Sequence, residues 1–398
     1  MNKINYLFEN EPYSILRDLK KLLEKDIYVE NGKSFYYAHY ANAKISKLAK
    51  QAFELYFHSN AASLKAFPSI QILENDIINW LLKLHSTNAL GDGIITSGGS
   101  EAILLAVYSA KCYASAQKKI PVIPNIVIPN TAHPAFDKAG LYFGIEVRRV
   151  QVNEEYQATK ELLENFVDSS TILIAASAPC FPYGVIDSTE AIGLLAKQMN
   201  IWFHIDACVG GMIIPFINDP LLKLKIDFNS TNAWSISTDL HKYGYAPKGI
   251  AAILYRTKEL ANFQKFYTNS WPHGEYYTSG IQGSRSGAVV ASAWSIIKHL
   301  GYSGFEALTN EVINIKKDYQ SDLISFGCEI LGEPKLSILS YQHPKFNMHS
   351  VWKELRLKNW NLSHLAEPDA IQMMFTPPNK DKREIFINDL RNILSRKI

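Results

Sequence analysis

Ser235-Ile236-Ser237-Thr238-Asp239-Leu240-His241-Lys242 gathers serine, threonine, aspartate, histidine and lysine into one polar turn, followed by Tyr243-Gly244-Tyr245-Ala246-Pro247-Lys248-Gly249. A short run with Trp234 and Ile236 leads into it, and the apolar run Ala251–Tyr255 leaves it. A lysine between two core-like strands is either a solvated charge or an amine held for chemistry. A buried lysine gives up its proton more easily than a free one, and a neutral amine forms a Schiff base. In the second reading Lys242 is expected to have a depressed pKa; in the first it is an ordinary loop charge.

Four other clusters carry possible chemistry. Thr96-Ser97-Gly98-Gly99-Ser100-Glu101 precedes an Ala/Leu-rich helix; its glycines allow close backbone approach, and N–H groups at a helix start attract an anion such as phosphate. The same residues would also serve as a plain N-cap. His204-Ile205-Asp206-Ala207-Cys208 ends an apolar strand, where an acid is costly without a cationic partner; capping the next turn is the alternative. His133, in Thr131-Ala132-His133-Pro134, follows another strand and is either structural or a flat ring facing a ligand. Gly283-Ser284-Arg285-Ser286-Gly287 opens an Ala-rich helix, and Trp271-Pro272-His273-Gly274 reads as a rigid aromatic turn.

Together these residues supply an anion cradle, an aromatic face, an acid for a positive nitrogen and a lysine for a carbonyl. Pyridoxal 5'-phosphate presents those four needs. In that reading Asp206 keeps the ring nitrogen protonated, so that the ring accepts electrons from a carbanion.

The elements that must position them follow from periodicity. Short apolar strands are expected at Asn125–Pro129, Glu146–Val150, 171–176, 201–206, 233–237 and Ala251–Tyr255, alternating with helices at 101–117, 134–143, 160–166 and Thr189–Met199. This alternation argues an α/β fold with a mainly parallel sheet covered by helices, whose ligands gather at the carboxyl ends of the strands. Upstream, amphipathic helices are expected at 14–26, 43–58 and from Pro68 onward; Glu74 and Asp76 suit the positive end of the third. Downstream, a long helix over 306–325, strands at 335–339 and 371–375, and helices at 349–357 and 383–394 describe a smaller α+β unit. The expected division is 1–58, an N-terminal helical segment, 59–300, a large cofactor-binding domain, and 301–398, a small C-terminal domain. The chain has 398 residues, with 41 basic against 38 acidic; a balance this even does not imply nucleic acid or an anionic membrane as an obligate partner. Four scattered cysteines form no CxxC pair, so neither a zinc site nor a disulfide framework is expected, and a reducing compartment fits. With no signal peptide or transmembrane stretch apparent, the expectation is a soluble, cytoplasmic protein that binds no metal.

The sequence resembles fold-type I pyridoxal-phosphate enzymes of the group II decarboxylase superfamily, and within them the sphingosine-1-phosphate lyases. The likeness is carried by Thr96 to Glu101, Ala132-His133-Pro134-Ala135-Phe136-Asp137-Lys138-Ala139, Phe181-Pro182-Tyr183-Gly184-Val185-Ile186-Asp187, His204 to Gly211, Ser235 to Gly249 and Gly283-Ser284-Arg285. The resemblance implies that Lys242 binds the cofactor aldehyde, Asp206 pairs with the pyridine nitrogen and His133 stacks on the ring. It implies that Gly99, Ser100 and His241 hold the cofactor phosphate beside Cys208, joined by Gly283 and Ser284 from the second subunit of a homodimer. Lys248 and Tyr37 match positions that face the substrate's phosphate and hydroxyl, and either could be the base. The implied reaction is retro-aldol cleavage of a phosphorylated sphingoid base to a long-chain aldehyde and phosphoethanolamine. An amino-acid decarboxylase on the same scaffold is the rival, and a catalytically silent binding protein is the second.

Two departures from the family pattern stand out. Asn60-Ala61-Ala62-Ser63 occupies the place of Asn-Pro-x-His, so a histidine near the substrate phosphate is missing unless His58 or another group replaces it. Ser286 stands where proline is usual.

Overall fold

Seven runs of four to seven residues are the strands of the main sheet; five of them, Asn125–Pro129, Thr171–Ser177, Trp202–Asp206, Ser235–Thr238 and Ala251–Tyr255, are buried along their whole length, and the two edge strands only in part. The computed structural model describes residues 12–37, 39–86, 90–117, 122–219, 222 and 224–396. The strands are β1 (Asp92–Thr96), β2 (Asn125–Pro129), β3 (Glu146–Val150), β4 (Thr171–Ser177), β5 (Trp202–Asp206), β6 (Ser235–Thr238) and β7 (Ala251–Tyr255). They form one sheet in the order β1-β7-β6-β5-β4-β2-β3. β3, β2, β4, β5 and β6 are mutually parallel. β7 runs antiparallel to both β6 and β1, so β1 points the same way as the parallel strands. The carboxyl ends of β1, β2, β4, β5 and β6 therefore share one edge of the sheet. The loops at Thr96–Glu101, His133, Asp206–Cys208 and Asp239–Lys242 leave from that edge.

Helices cover the sheet. In chain order they are α1 (Pro12–Leu23), α2 (Ala43–Leu55), α3 (Pro68–His85), α4 (Gly99–Ala116), α5 (Ala135–Phe143), α6 (Lys160–Glu164), α7 (Thr189–Met199), α8 (Phe228–Thr231), α9 (Lys258–Asn262), α10 (Gly287–Ser325), α11 (Met348–Leu357) and α12 (Arg383–Ser395). α2 is started by Asn42, whose side chain accepts the Ile45 N–H at 3.0 Å. The core is dominated by aliphatic residues of the sheet and of α10, with Phe203, Phe216, Tyr319 and Trp360 among its largest buried side chains. A second sheet, β10-β11-β13-β12 in spatial order (Glu329–Ile330, Ile338–Gln342, Ala370–Met374 and Ser363–Leu365), is antiparallel throughout and packs with α11 and α12. α10 passes from one sheet region to the other and kinks at Gly301, whose φ of 55° is open to glycine at no steric cost. The expected boundary at residue 300 falls beside that kink.

Several local expectations are corrected. Glu74 and Asp76 do not sit at the start of α3, whose first turn holds no acid. Glu74 instead grips Arg285, and Asp76 accepts from the Trp294 indole. Phe266–Trp271 and Gly274–Thr278 (β8 and β9) form an antiparallel hairpin around the expected aromatic turn. α1 forms as its period predicts, but buries none of its side chains.

Candidate active site

Lys242 lies just past β6, where Asp239 follows Thr238 into the turn. Its Nζ is 2.9 Å from Asp239 Oδ2, and the Asp239 side chain is only 2% exposed. Burial alone would lower the lysine pKa, but the negative charge of Asp239, with Cys208 and Asp206 beyond it, raises it instead. The expectation of a depressed Lys242 is therefore overturned: at short range a buried carboxylate outweighs desolvation. The amine is held as a positioned cation against Asp239.

Asp206 ends β5 and is buried. Burial pushes its pKa up, yet the charge of His133, a side-chain hydrogen bond with Cys208, and the charges of Lys242 and His204 together pull it below the usual carboxylate value. It accepts hydrogen bonds from Cys208 N–H at 3.1 Å and Ser237 Oγ at 3.3 Å. Asp206 thus caps its own turn and also keeps a negative charge in the pocket. His133, between β2 and α5, accepts the Ala135 N–H on Nδ1 at 3.1 Å, which leaves Nε2 to carry the ring proton. Cys208 is no nucleophile: burial, then the charges of Asp206 and Asp239, drives its thiol pKa well up.

The loop after β1 was open to two readings. Ser97 does not cap α4; its N–H and Oγ both donate to Glu101, at 2.7 and 2.6 Å. The other oxygen of Glu101 accepts the Ile281 N–H at 2.9 Å. A Cβ on Gly99 would lie 2.5 Å from Cys208 Sγ and 2.8 Å from Asp239 Oδ1, and one on Gly98 would meet His241 Cε1 at 3.3 Å. Only bare backbone fits between this loop and the lysine turn. The first N–H groups of the 18-residue α4 are left facing the pocket without a side-chain cap.

The pocket has a volume of about 510 Å³. Gly99, Ser100, His133, Asp206, Cys208, His241, Lys242, Lys248 and Tyr37 all line it. Tyr37 stands at its mouth with φ 52° and lies flat on Phe181, ring centroids 5.7 Å apart. The Lys248 Nζ donates to His241 O at 2.8 Å and lies 3.3 Å from His39 Nδ1. The residue's surface is open, but its ammonium is turned inward; desolvation there, then the charge of Lys242, brings its pKa down to about 8. Beneath the pocket, Asp187 accepts from Ser177 N–H (2.7 Å) and Ala158 N–H (2.9 Å), and burial pushes its pKa to about 7.

Gly283 and Ser284 do not line this pocket. Ser284 Oγ accepts from Asn60 Nδ2 at 3.1 Å, and Arg285 forks onto Glu74 at 2.5 and 3.3 Å. Neither Ser63 nor the exposed His58 reaches the pocket. His39 does line it, a third imidazole beside His133 and His241 that sequence reasoning missed; burial, then the charges of Lys248 and Lys242, holds its pKa well down. Asp239 was also missed as a functional residue, although its place three residues before Lys242 was a usable signal.

The pyridoxal-dependent decarboxylase conserved domain matches residues 4–337. The chain belongs to the pyridoxal-dependent decarboxylase family. Within it, the chain is 32% identical to sphingosine-1-phosphate lyase 1 of Rattus norvegicus, over 96% of this chain and 68% of that one. It is 34% identical to the sphingosine-1-phosphate lyase of Saccharomyces cerevisiae, over 82% of this chain but only 56% of the yeast one. The solved structure of a Burkholderia pseudomallei sphingosine-1-phosphate lyase superposes with a TM-score of 0.93 at 26% identity, covering 100% of this chain and 93% of that one. The fold is that of fold-type I pyridoxal-phosphate enzymes, and the cofactor is pyridoxal phosphate. The site fits that group: a side-chain-free cradle at Gly99, an ionised acid at Asp206 and a lysine in the same pocket.

Proposed function

We propose that the protein is a pyridoxal-phosphate-dependent carbon–carbon lyase that cleaves the C2–C3 bond of a phosphorylated sphingoid base. Its products are a long-chain aldehyde and phosphoethanolamine. The observation that carries this reading is Lys248, a lysine held at about 8 in the same pocket as Lys242. A decarboxylase has no hydroxyl proton to remove; a retro-aldol cleavage does. When bound, pyridoxal phosphate supplies the sink for the electron pair released at C2. Gly99, Ser100 and His241 hold its phosphate, Asp206 its ring nitrogen, His133 its ring face and Lys242 its carbonyl carbon.

Lys248 accepts the C3 hydroxyl proton as the C2–C3 bond breaks, and a proton returns to C2 before release. Tyr37, the other candidate for the base, closes the mouth against water and shares the substrate's polar end with His39, which takes the place of the histidine absent at Ser63. A homodimer is supported by the position of Gly283 and Ser284 outside their own protomer's pocket. The exposed Phe266, Tyr267, Trp271 and Tyr277 of the hairpin also support it. Among the described residues no helix is long and apolar enough to cross a membrane, and we place the enzyme in the cytoplasm.

The test is incubation of the holoenzyme with sphingosine 1-phosphate and detection of the fatty aldehyde together with phosphoethanolamine. Carbon dioxide released from tyrosine, glutamate or aspartate, with the phosphorylated base left intact, would replace this reading by the decarboxylase one.

A further inference from the structure

We propose that a second pocket beside the catalytic one receives the substrate's hydrocarbon chain, an inference that rests on the lyase reading above. This pocket has a volume of about 580 Å³, within the range of about 300–1,000 Å³ typical of small-ligand sites. Ile45, Ala49 and Phe53, spaced four apart along α2, put three apolar side chains on one wall. Tyr245, Ala246 and Pro247 form the opposite wall, and the next residue in the chain is Lys248.

The two cavities meet at Tyr37, His39 and Lys248, which line both. Connectivity in the substrate then fixes its direction. The hydroxyl that Lys248 deprotonates and the hydrocarbon chain are carried by the same carbon, C3. The amine on C2 must reach the Lys242 side of Lys248, so the chain leaves C3 on the other side. The space on that side is the apolar pocket. An amphiphile laid this way keeps its phosphate and amine among charged groups, and desolvates only hydrocarbon against Ile45, Ala49, Phe53 and Pro247.

Ser46, half-buried on α2 and pointing into the same pocket, provides the probe. For the wild-type holoenzyme, kcat/KM across a series of phosphorylated 2-amino-alcohols should rise about fourfold per added methylene until the pocket is full. Ser46→Trp should flatten that series through KM, whereas Ser46→Ala should keep it. In parallel, calorimetric titration with octyl phosphate and hexadecyl phosphate reads binding without turnover. Hexadecyl phosphate should bind wild type more tightly, and Ser46→Trp should erase the difference. A cofactor-loaded Ser46→Trp protein with an unchanged chain-length dependence overturns the proposal. So does one whose sedimentation mass changes, since that assigns the pocket to a contact between subunits. If wild type releases no aldehyde yet shows the hexadecyl preference and loses it in Ser46→Trp, the pocket stands and the lyase reading falls.

Discussion

Replacing Lys248 by methionine and, separately, by arginine tests the proton chemistry directly. In the folded protein, desolvation and then the charge of Lys242 bring this lysine from 10.5 to about 8, against the opposing pull of Asp239. A fall of about 2.5 raises the neutral fraction at pH 7 about 300-fold, from roughly one molecule in three thousand to roughly one in ten. A base works in its deprotonated form, so kcat/KM for aldehyde release should climb with pH through about 8 and level off above it. Lys248→Met should remove that limb and lower turnover by about 10²–10⁴. Lys248→Arg should do the same, because a guanidinium keeps its proton across the range. His39, His241, Lys242 and Asp239 also face this amine, so the cofactor spectrum must be recorded at each pH to separate their titration from that of Lys248. A Lys248→Met enzyme that keeps the rise near pH 8, or turns over at the wild-type rate, refutes the reasoning.

Other substitutions probe the cradle and its support. Lys242→Ala should abolish the visible absorption of the lysine-bound cofactor, and an unchanged spectrum in the purified variant would remove the cofactor role of this residue. Gly99→Ala forces a Cβ against Cys208 and Asp239; overpacking of about 1–3 kcal/mol should weaken cofactor binding about 5- to 150-fold in a fluorescence titration. Asp187 has a folded-state pKa of about 7, above its usual value, so the stability it contributes is complete below about pH 4 and fades as pH rises through 7. Relative to Asp187→Asn, wild type should lose up to about 4 kcal/mol over that interval in urea unfolding; parallel curves for the two proteins would show that the group does not titrate there.

Much of the architecture was legible because the inner strands of the sheet are buried on both faces. Runs such as Ile126-Val127-Ile128 and Ala251-Ala252-Ile253-Leu254 have no amphipathic ambiguity, and glycine or polar residues punctuate them. The direction of β7 was not legible, since an apolar run reads the same in a parallel or antiparallel neighbour. The β8–β9 hairpin was hidden because its side chains are mostly exposed and carry no alternation of burial. In the site, the glycines, Asp206 and Lys242 announced themselves by type and place. The charge state of Lys242 did not, because it is decided by a 2.9 Å contact with Asp239 that burial arguments ignore. His39 sits in an irregular stretch, and only folding carries it 209 positions along the chain to Lys248.

The two-sided grip of Glu101 has a consequence for how the molecule responds to its cofactor. One carboxyl oxygen holds Ser97 in the loop after β1 and the other holds the backbone of Ile281, just ahead of the Gly283-Ser284-Arg285 turn. Ordering either end lowers the entropy left to lose at the other, and such coupling is reciprocal. Cofactor loading should therefore slow amide exchange at 279–281. By the same factor, loosening that segment should weaken the affinity for the cofactor, so the Glu101 side chain links the two ends.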